Sequence, residues 1–239
     1  MQPKTRVAVI LAGGLGTRLQ SVVSDVPKPM APVGNKPFLE IILNYWINQG
    51  IQRFILSVGY KSEAIINYFG RSYKGSSIEY VVEEKPLGTG GGLLKAIDES
   101  EINEQFLMIN GDTFFAVDLI ALEKFHHKKK SNWTLALFSS TDKKRYMQFN
   151  LTSTSQIYSI KSGNNCKEFY SNGGIYLIKD ESMITKNAPD NPCFSLETDI
   201  ILNLAGRNLL YGFYSNGTFL DIGVPNDYKS SQSILSEFL

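Results

Sequence analysis

The sequence predicts an α/β fold: a mixed, mostly parallel sheet flanked by helices. Two observations predict it. Apolar runs of strand length, beginning with Val7-Ala8-Val9-Ile10-Leu11, alternate with segments of helical spacing through the first half of the chain. Such alternation calls for right-handed crossovers that lay helices on both faces of a parallel sheet. The first and a later strand end in turns built for ligands, Gly13–Arg18 and Asn110-Gly111-Asp112, and open parallel sheets bind ligands at the carboxyl ends of their strands.

The elements follow in order. Pro37 to Gln49 carries Phe38, Leu39, Ile41, Ile42, Tyr45 and Trp46 at helical spacing, with a proline at the start and Gly50 at the stop. Phe54–Val58 reads as a strand, and Ser62 as the cap of a helix ending at Gly70. Ile78–Val82 is a strand, Leu93–Ile97 belongs to a helix, and Phe106–Ile109 is a strand. The charge run Lys128-Lys129-Lys130, after His126-His127, reads as the solvated end of a helix. Beyond Asn132 the strands shorten: Thr134–Phe138, Gln148–Leu151, Ile157–Ile160 and Gly174–Ile178. A helix from Leu196 to Leu204 capped by Ser195, strands at Leu209–Tyr214 and Phe219–Ile222, and a terminal helix opened by Pro225 complete the chain. One domain, 1–239, is expected, with a first half (1–131) and a second half (132–239) that adds a small lobe.

Bulk properties narrow the function. The 239 residues are 43% hydrophobic, enough for a sizeable core, and the net charge of +1 gives no global field to recruit nucleic acid or an acidic membrane. Anion binding must therefore be local. Cys166 and Cys193 are too few for a disulfide framework, and no apolar run approaches a membrane span or a signal-peptide core, so a cytoplasmic protein is expected. His126 and His127 are adjacent and make a poor zinc site.

The loop after the first strand carries the most chemistry. Gly13, Gly14 and Gly16 let the backbone turn sharply and present bare N–H groups, while Arg18 and then Lys28, between Pro27 and Pro29, add the charge a polyphosphate needs. It is not a Walker loop, because Gly16 is followed by Thr17-Arg18 rather than Lys-Ser/Thr. A dinucleotide fingerprint would need a third glycine where Leu19 stands. Asp112 follows an Asn-Gly turn, where turn chemistry and presentation of a carboxylate to a hard cation explain it equally well, whereas Asp221, inside the apolar run Phe219-Leu220-Asp221-Ile222, is hard to explain as a solvated loop residue.

Gly13-Gly14-Leu15-Gly16-Thr17-Arg18-Leu19 and Pro27-Lys28-Pro29-Met30 resemble the signature of the sugar-nucleotide pyrophosphorylases. These nucleotidyltransferases join a sugar 1-phosphate to a nucleoside triphosphate. The resemblance continues through Pro86-Leu87-Gly88-Thr89-Gly90-Gly91, Asn110-Gly111-Asp112, Asn172-Gly173-Gly174-Ile175-Tyr176 and Phe219–Gly223, in the family's order and over nearly the whole chain. It implies the Rossmann-like nucleotide-diphospho-sugar transferase fold and a homodimer. The substrate phosphate is itself the nucleophile, so catalysis reduces to positioning and charge neutralisation of an in-line attack on the α-phosphate.

The resemblance also implies roles. Leu11, Ala12 and the backbone of Gly13, Gly14, Gly16 and Thr17 would hold the nucleotide. Arg18 would face the β- and γ-phosphates, with Lys28 on the same side, and Asp112 and Asp221 would coordinate one Mg²⁺. Pro86–Gly92 resembles the loop that reads the base, where glycine backbone would let the ring approach; Gly88, Thr89 and either Glu83 or Glu84 would lie at the base, a glutamate there being able to accept from a guanine edge. Asn110, Gly111, Asn172, Gly173, Gly174, Glu197 and Thr198 match sugar-side positions.

Two departures stand out. Relatives carry a Glu-Lys pair after the middle hairpin, where this chain reads Ile160-Lys161-Ser162-Gly163; Lys161 or Lys167 would have to substitute. In place of Pro-Leu-Thr after the arginine loop stands Ser21-Val22-Val23-Ser24-Asp25, which resembles the branch that joins GTP to a heptose 1-phosphate. The alternatives are another sugar or base, such as mannose or glucose 1-phosphate with GTP, CTP, UTP or dTTP, and a catalytically silent nucleotide-sugar-binding subunit. The second is disfavoured because Arg18, Lys28, Asp112 and Asp221 are all kept. No appended acetyltransferase or β-helix domain is expected, since the chain stops soon after the catalytic motifs.

Overall fold

The computed structural model describes residues 3–19, 22–140, 145–160, 169–207 and 209–239. Strand β1 (Val7–Ala12) runs into the glycine loop, followed by a single 3₁₀ turn at Lys28–Met30. A small hairpin of β2 (Pro32–Val33) and β3 (Lys36–Pro37) precedes helix α1 (Phe38–Asn48). Then come β4 (Arg53–Val58), α2 (Ser62–Phe69), β5 (Ser72–Tyr73), β6 (Ser76–Val82), α3 (Gly88–Ser100) and β7 (Phe106–Asn110). Short β8 (Thr113–Phe115) and α4 (Leu119–Lys129) close the first half.

The second half is built from β9 (Trp133–Ser140), β10 (Gln148–Leu151), β11 (Ile157–Ile160) and β12 (Phe169–Ile178). After α5 (Ser182–Thr185), a π-helical turn at Leu196–Ile201 passes into α6 (Leu202–Leu204). The last elements are β13 (Leu210–Tyr214), β14 (Phe219–Asp221) and α7 (Pro225–Ile234).

The order β7-β1-β4-β6 is parallel, as the alternation of strands and helices predicts. On the far side of β7 the sheet turns mixed. β12 pairs antiparallel with β7, β9 and β10, and β13 runs parallel to β9. Alternate residues of β1 serve opposite faces. Ala8 and Ile10 pack with Phe38, Trp46 and Leu56 of α1 and β4, whereas Val7 and Val9 pack with Leu93 and Ala96 of α3.

Several local expectations are corrected. Ser62 is not the cap of α2: Lys61, at φ 53°, precedes the helix, and no side chain caps it. Gly88–Gly92 is the first turn of α3 rather than a loop. Its glycines serve close packing, since a Cβ at Gly90 would overlap the Phe194 ring and one at Gly91 would overlap the Pro192 carbonyl. The helix after Ser195 opens as a π turn, with Ser195 accepting from the Thr198 N–H as its cap. At the end of α4 the lysines are solvated but His126 is fully buried, its Nδ1 2.8 Å from Thr134 Oγ1.

Candidate active site

A cavity of about 350 Å³ opens at the carboxyl ends of β1 and β7. Leu11, Ala12, Gly13, Gly14, Gly16, Thr17 and Arg18 form one wall, and Glu83, Pro86, Gly88 and Thr89 form another. Asn110, Gly111, Asp112, Lys28 and Gly223 line the rest. The two strand ends meet because Gly111 N–H donates to Leu11 O at 2.9 Å; a Cβ at Gly111 would lie 2.7 Å from that oxygen. Gly16 sits in the left-handed region at φ 59°, a conformation that favours glycine, and presses on the Lys28 stem.

Lys28 is no surface lysine. The prolines on either side set its 3₁₀ turn, and its side chain is only 8% exposed. Its Nζ donates to Asp112 Oδ2 at 2.7 Å and lies 3.9 Å from Asp221 Oδ1. Asp221 comes from the other half of the chain through antiparallel pairing of β14 with β8, which sets it opposite Thr113. Its Oδ1 accepts from Gly223 N–H at 2.5 Å, and its Oδ2 accepts from Arg145 at 3.0 Å. Arg18 is exposed at the cavity wall.

Two carboxylates therefore converge on one cationic nitrogen. Oxygen donors of this kind suit a hard divalent cation. Among the described residues no group of three or more His, Cys, Asp or Glu could hold a metal. A cation here would complete its shell with phosphate oxygens and water, the habit of Mg²⁺.

Glu83 lines the cavity while Glu84 is exposed and does not. The Glu83 carboxylate accepts from Ser57 Oγ at 2.7 Å and from Leu87 N–H at 3.0 Å, and a Cβ at Gly13 would lie 2.5 Å from its Oε1. It thus braces the glycine loop and the entry to α3.

Around Glu197, Thr89 Oγ1 donates to Glu197 Oε2 at 2.6 Å, and Ser195 Oγ donates to the same oxygen at 3.0 Å. Tyr176 reaches Glu197 Oε1 at 3.4 Å and accepts from Asn172 Nδ2. Burial of the Tyr176 hydroxyl, with Glu197 beside it, pushes its pKa well above the ordinary value. Asn172, Gly173, Gly174, Glu197 and Thr198 lie outside the cavity lining. A Cβ at Gly174, whose φ is 72°, would lie 2.8 Å from Thr113 Oγ1 and 2.9 Å from Asn110 Nδ2, so the irregular stretch of β12 at Asn172–Gly174 abuts the cavity wall. Thr198 is exposed and joins the network only through its backbone N–H. Asn110 Oδ1 and Thr113 Oγ1 are buried there with no partner among the described residues.

Sequence reasoning missed Arg145. It bonds both Asp221 and Asp227, and a lone arginine after a lysine run gives no signal of that. Its burial opposes the charge, and the bonds to the two carboxylates outweigh it, so its pKa lies above the ordinary value. Ser21, Lys161, Cys166 and Lys167 fall outside the described residues. The neighbouring Ser24 and Asp25 carbonyls accept from Lys61 Nζ at 2.6 and 3.0 Å, and neither residue lines the cavity.

Residues 7–237 match the model of the family described as nucleotidyl transferase. The chain is 42% identical to a protein of Aneurinibacillus thermoaerophilus named D-glycero-alpha-D-manno-heptose 1-phosphate guanylyltransferase, over 97% of this chain and 99% of that one. It is 39% identical to a Campylobacter jejuni protein of the same name, over 92% and 96%. Among solved structures, HddC from Yersinia pseudotuberculosis, also determined in complex with GMP-PN, is 32% identical with a TM-score of 0.80, covering 96% of this chain and 99% of that one. A glucose-1-phosphate thymidylyltransferase described as putative, from Bacillus anthracis, has a TM-score of 0.83 at 23% identity and shares the fold. The cavity, the two aspartates that converge on Lys28 and this full-length match lead to one conclusion: the chain belongs to the nucleotidyl transferase family.

Proposed function

We propose that the protein joins GTP to D-glycero-D-manno-heptose 1-phosphate, releasing pyrophosphate and forming GDP-heptose for cell-surface polysaccharide. The observation that carries the reading is Lys28 held between Asp112 and Asp221 beneath the Gly13–Arg18 loop. The names of the two relatives above and the GMP-PN complex of HddC support the choice of guanine and heptose.

A phosphate oxygen of the sugar 1-phosphate attacks the α-phosphorus, and the bond from that phosphorus to the bridging oxygen of pyrophosphate breaks. Backbone N–H groups from Gly13 to Thr17 cradle the triphosphate, and Arg18 meets the charge that grows on the leaving pyrophosphate. Lys28, once turned from Asp112, bonds the phosphates on the same side. Asp112 and Asp221 would hold a Mg²⁺ that supplies charge neutralisation when bound. The sugar lies toward Asn110 and the Asn172–Gly174 segment of β12, beside the wall of the cavity. Residues 1–131 then form the nucleotide-binding half and 132–239 the sugar-binding half of one domain. We place the enzyme in the cytoplasm as a homodimer.

The test is pyrophosphate release from four nucleoside triphosphates against several sugar 1-phosphates with Mg²⁺. GTP with the heptose phosphate is expected to give the highest kcat/KM. A better turnover with another pair would replace the substrate assignment, and no release with any pair would overturn the enzymatic reading.

A further inference from the structure

Arg145 touches the reaction centre without lining the cavity. One of its amino groups donates to Asp221 Oδ2 at 3.0 Å and to the Asp221 carbonyl at 3.3 Å. The other pairs with Asp227 in the first turn of α7. The guanidinium also lies 5.0 Å from the ring centre of Tyr146, which packs on Phe219 and Phe138. It is held on three sides, unlike an exposed ion pair that gains little.

The two oxygens of Asp221 are divided between different partners. Oδ2 belongs to Arg145, whereas Oδ1 accepts from Gly223 N–H and faces Lys28. Charges alternate along the line Asp112, Lys28, Asp221, Arg145, Asp227. If Lys28 turns toward substrate phosphates, Asp112 is 43% exposed and can be solvated, but Asp221 is only 14% exposed. Arg145 is then the remaining cation in contact with Asp221 among the described residues.

We propose that Arg145 is a positioning residue: by holding Asp221 Oδ2 against an anchor on α7, it presents Oδ1 toward Lys28 and Asp112. This rests on the reading of Asp221 as part of the reaction centre. Groups that orient a ligating carboxylate typically carry about 10- to 100-fold of activity or metal affinity. Removing Arg145 should therefore reduce kcat by that amount while KM for both substrates stays within about threefold, since no substrate contact is lost.

The experiment compares the full chain with Arg145→Met, Arg145→Lys and Asp227→Asn, by steady-state pyrophosphate release and by crystal structures of the variants. Arg145→Met should lose kcat as stated, and its crystals should show the Asp221 carboxylate rotated off Gly223 N–H. Arg145→Lys, which keeps one charge and reaches one carboxylate, should recover part of the loss. Asp227→Asn should lose less than Arg145→Met. If Arg145→Met fails to fold, the lysine variant carries both readouts. Unchanged kcat, or an Asp221 side chain left in place, overturns the proposal. An inactive wild type would remove the proposed function, while the crystal structures would still decide what Arg145 holds.

Discussion

Asp221 stands opposite Thr113 in the antiparallel pair of β14 and β8, and this register brings its carboxylate beside that of Asp112. The pairing belongs to a two-stranded ribbon outside the main sheet, so the two aspartates are aligned by backbone bonds independent of their side chains. Neutralising either one should spare the fold. Asp112→Asn and Asp221→Asn are each expected to cut Mg²⁺-dependent turnover roughly a hundredfold or more, with a near-native circular dichroism spectrum. Normal turnover in either variant would remove that residue from the reaction centre.

Arg18 projects from an exposed position on the cavity wall and supports nothing else that the structure shows. Arg18→Ala should leave the melting temperature unchanged and lower kcat roughly a hundredfold, as does loss of one preorganised donor to a developing charge. KM for the sugar phosphate should hardly move. A wild-type rate at saturating nucleotide would sink the leaving-group role.

Gly91 has no room for a side chain, because its Cβ would overlap the backbone carbonyl of Pro192 and lie 3.0 Å from Leu87 Cβ. Backbone cannot yield as a flexible side chain does. Gly91→Ala should cost about 1–3 kcal/mol through overpacking, or roughly 2–12 °C in melting temperature for a chain of this size. An unshifted melting curve would mean that α3 tolerates displacement.

His126 gives stability a pH dependence. Burial, with help from His127 and Lys179, pushes its pKa down from 6.5 to about 4. The folded protein keeps the ring neutral where the unfolded chain protonates it, so unfolding takes up a proton below pH 6.5. Stability from this residue is present above pH 6.5 and is lost as pH falls toward 4, by on the order of 3 kcal/mol in all. Urea titrations between pH 7 and 4 should show that slope, and His126→Gln should flatten it. Equal slopes in the two proteins would assign the loss to carboxylates.

The sequence made the parallel half legible because its strands are centred on short apolar runs that alternate with segments of helical spacing, as β1 and α1 show. The phosphate loop was equally open, since Gly13, Gly14 and Gly16 lie within a few positions of one another beside Arg18. Distance in sequence hid more. The family resemblance implies that Asp112 meets Asp221, but the residues alone do not show it, because the meeting depends on the β8–β14 ribbon and a three-residue strand leaves almost no periodic trace. The Gly88–Gly92 run misled because the same residue serves a free loop and a crowded helix face; only the position of Phe194 separates the two. Arg145 was invisible because its partners, Asp221 and Asp227, are set by tertiary packing alone.

The union of β7 with β12 bears on how the chain must mature. β7, apolar and deeply buried from Phe106 to Ile109, is the edge of the parallel set until β12 covers it. A nascent chain halted near residue 131 would carry that strand with one row of N–H and C=O groups bare, an inviting template for intermolecular pairing. The first half, for all its regular βα alternation, thus leaves one edge of its sheet open, and that edge is sealed only by the residues around Ile175.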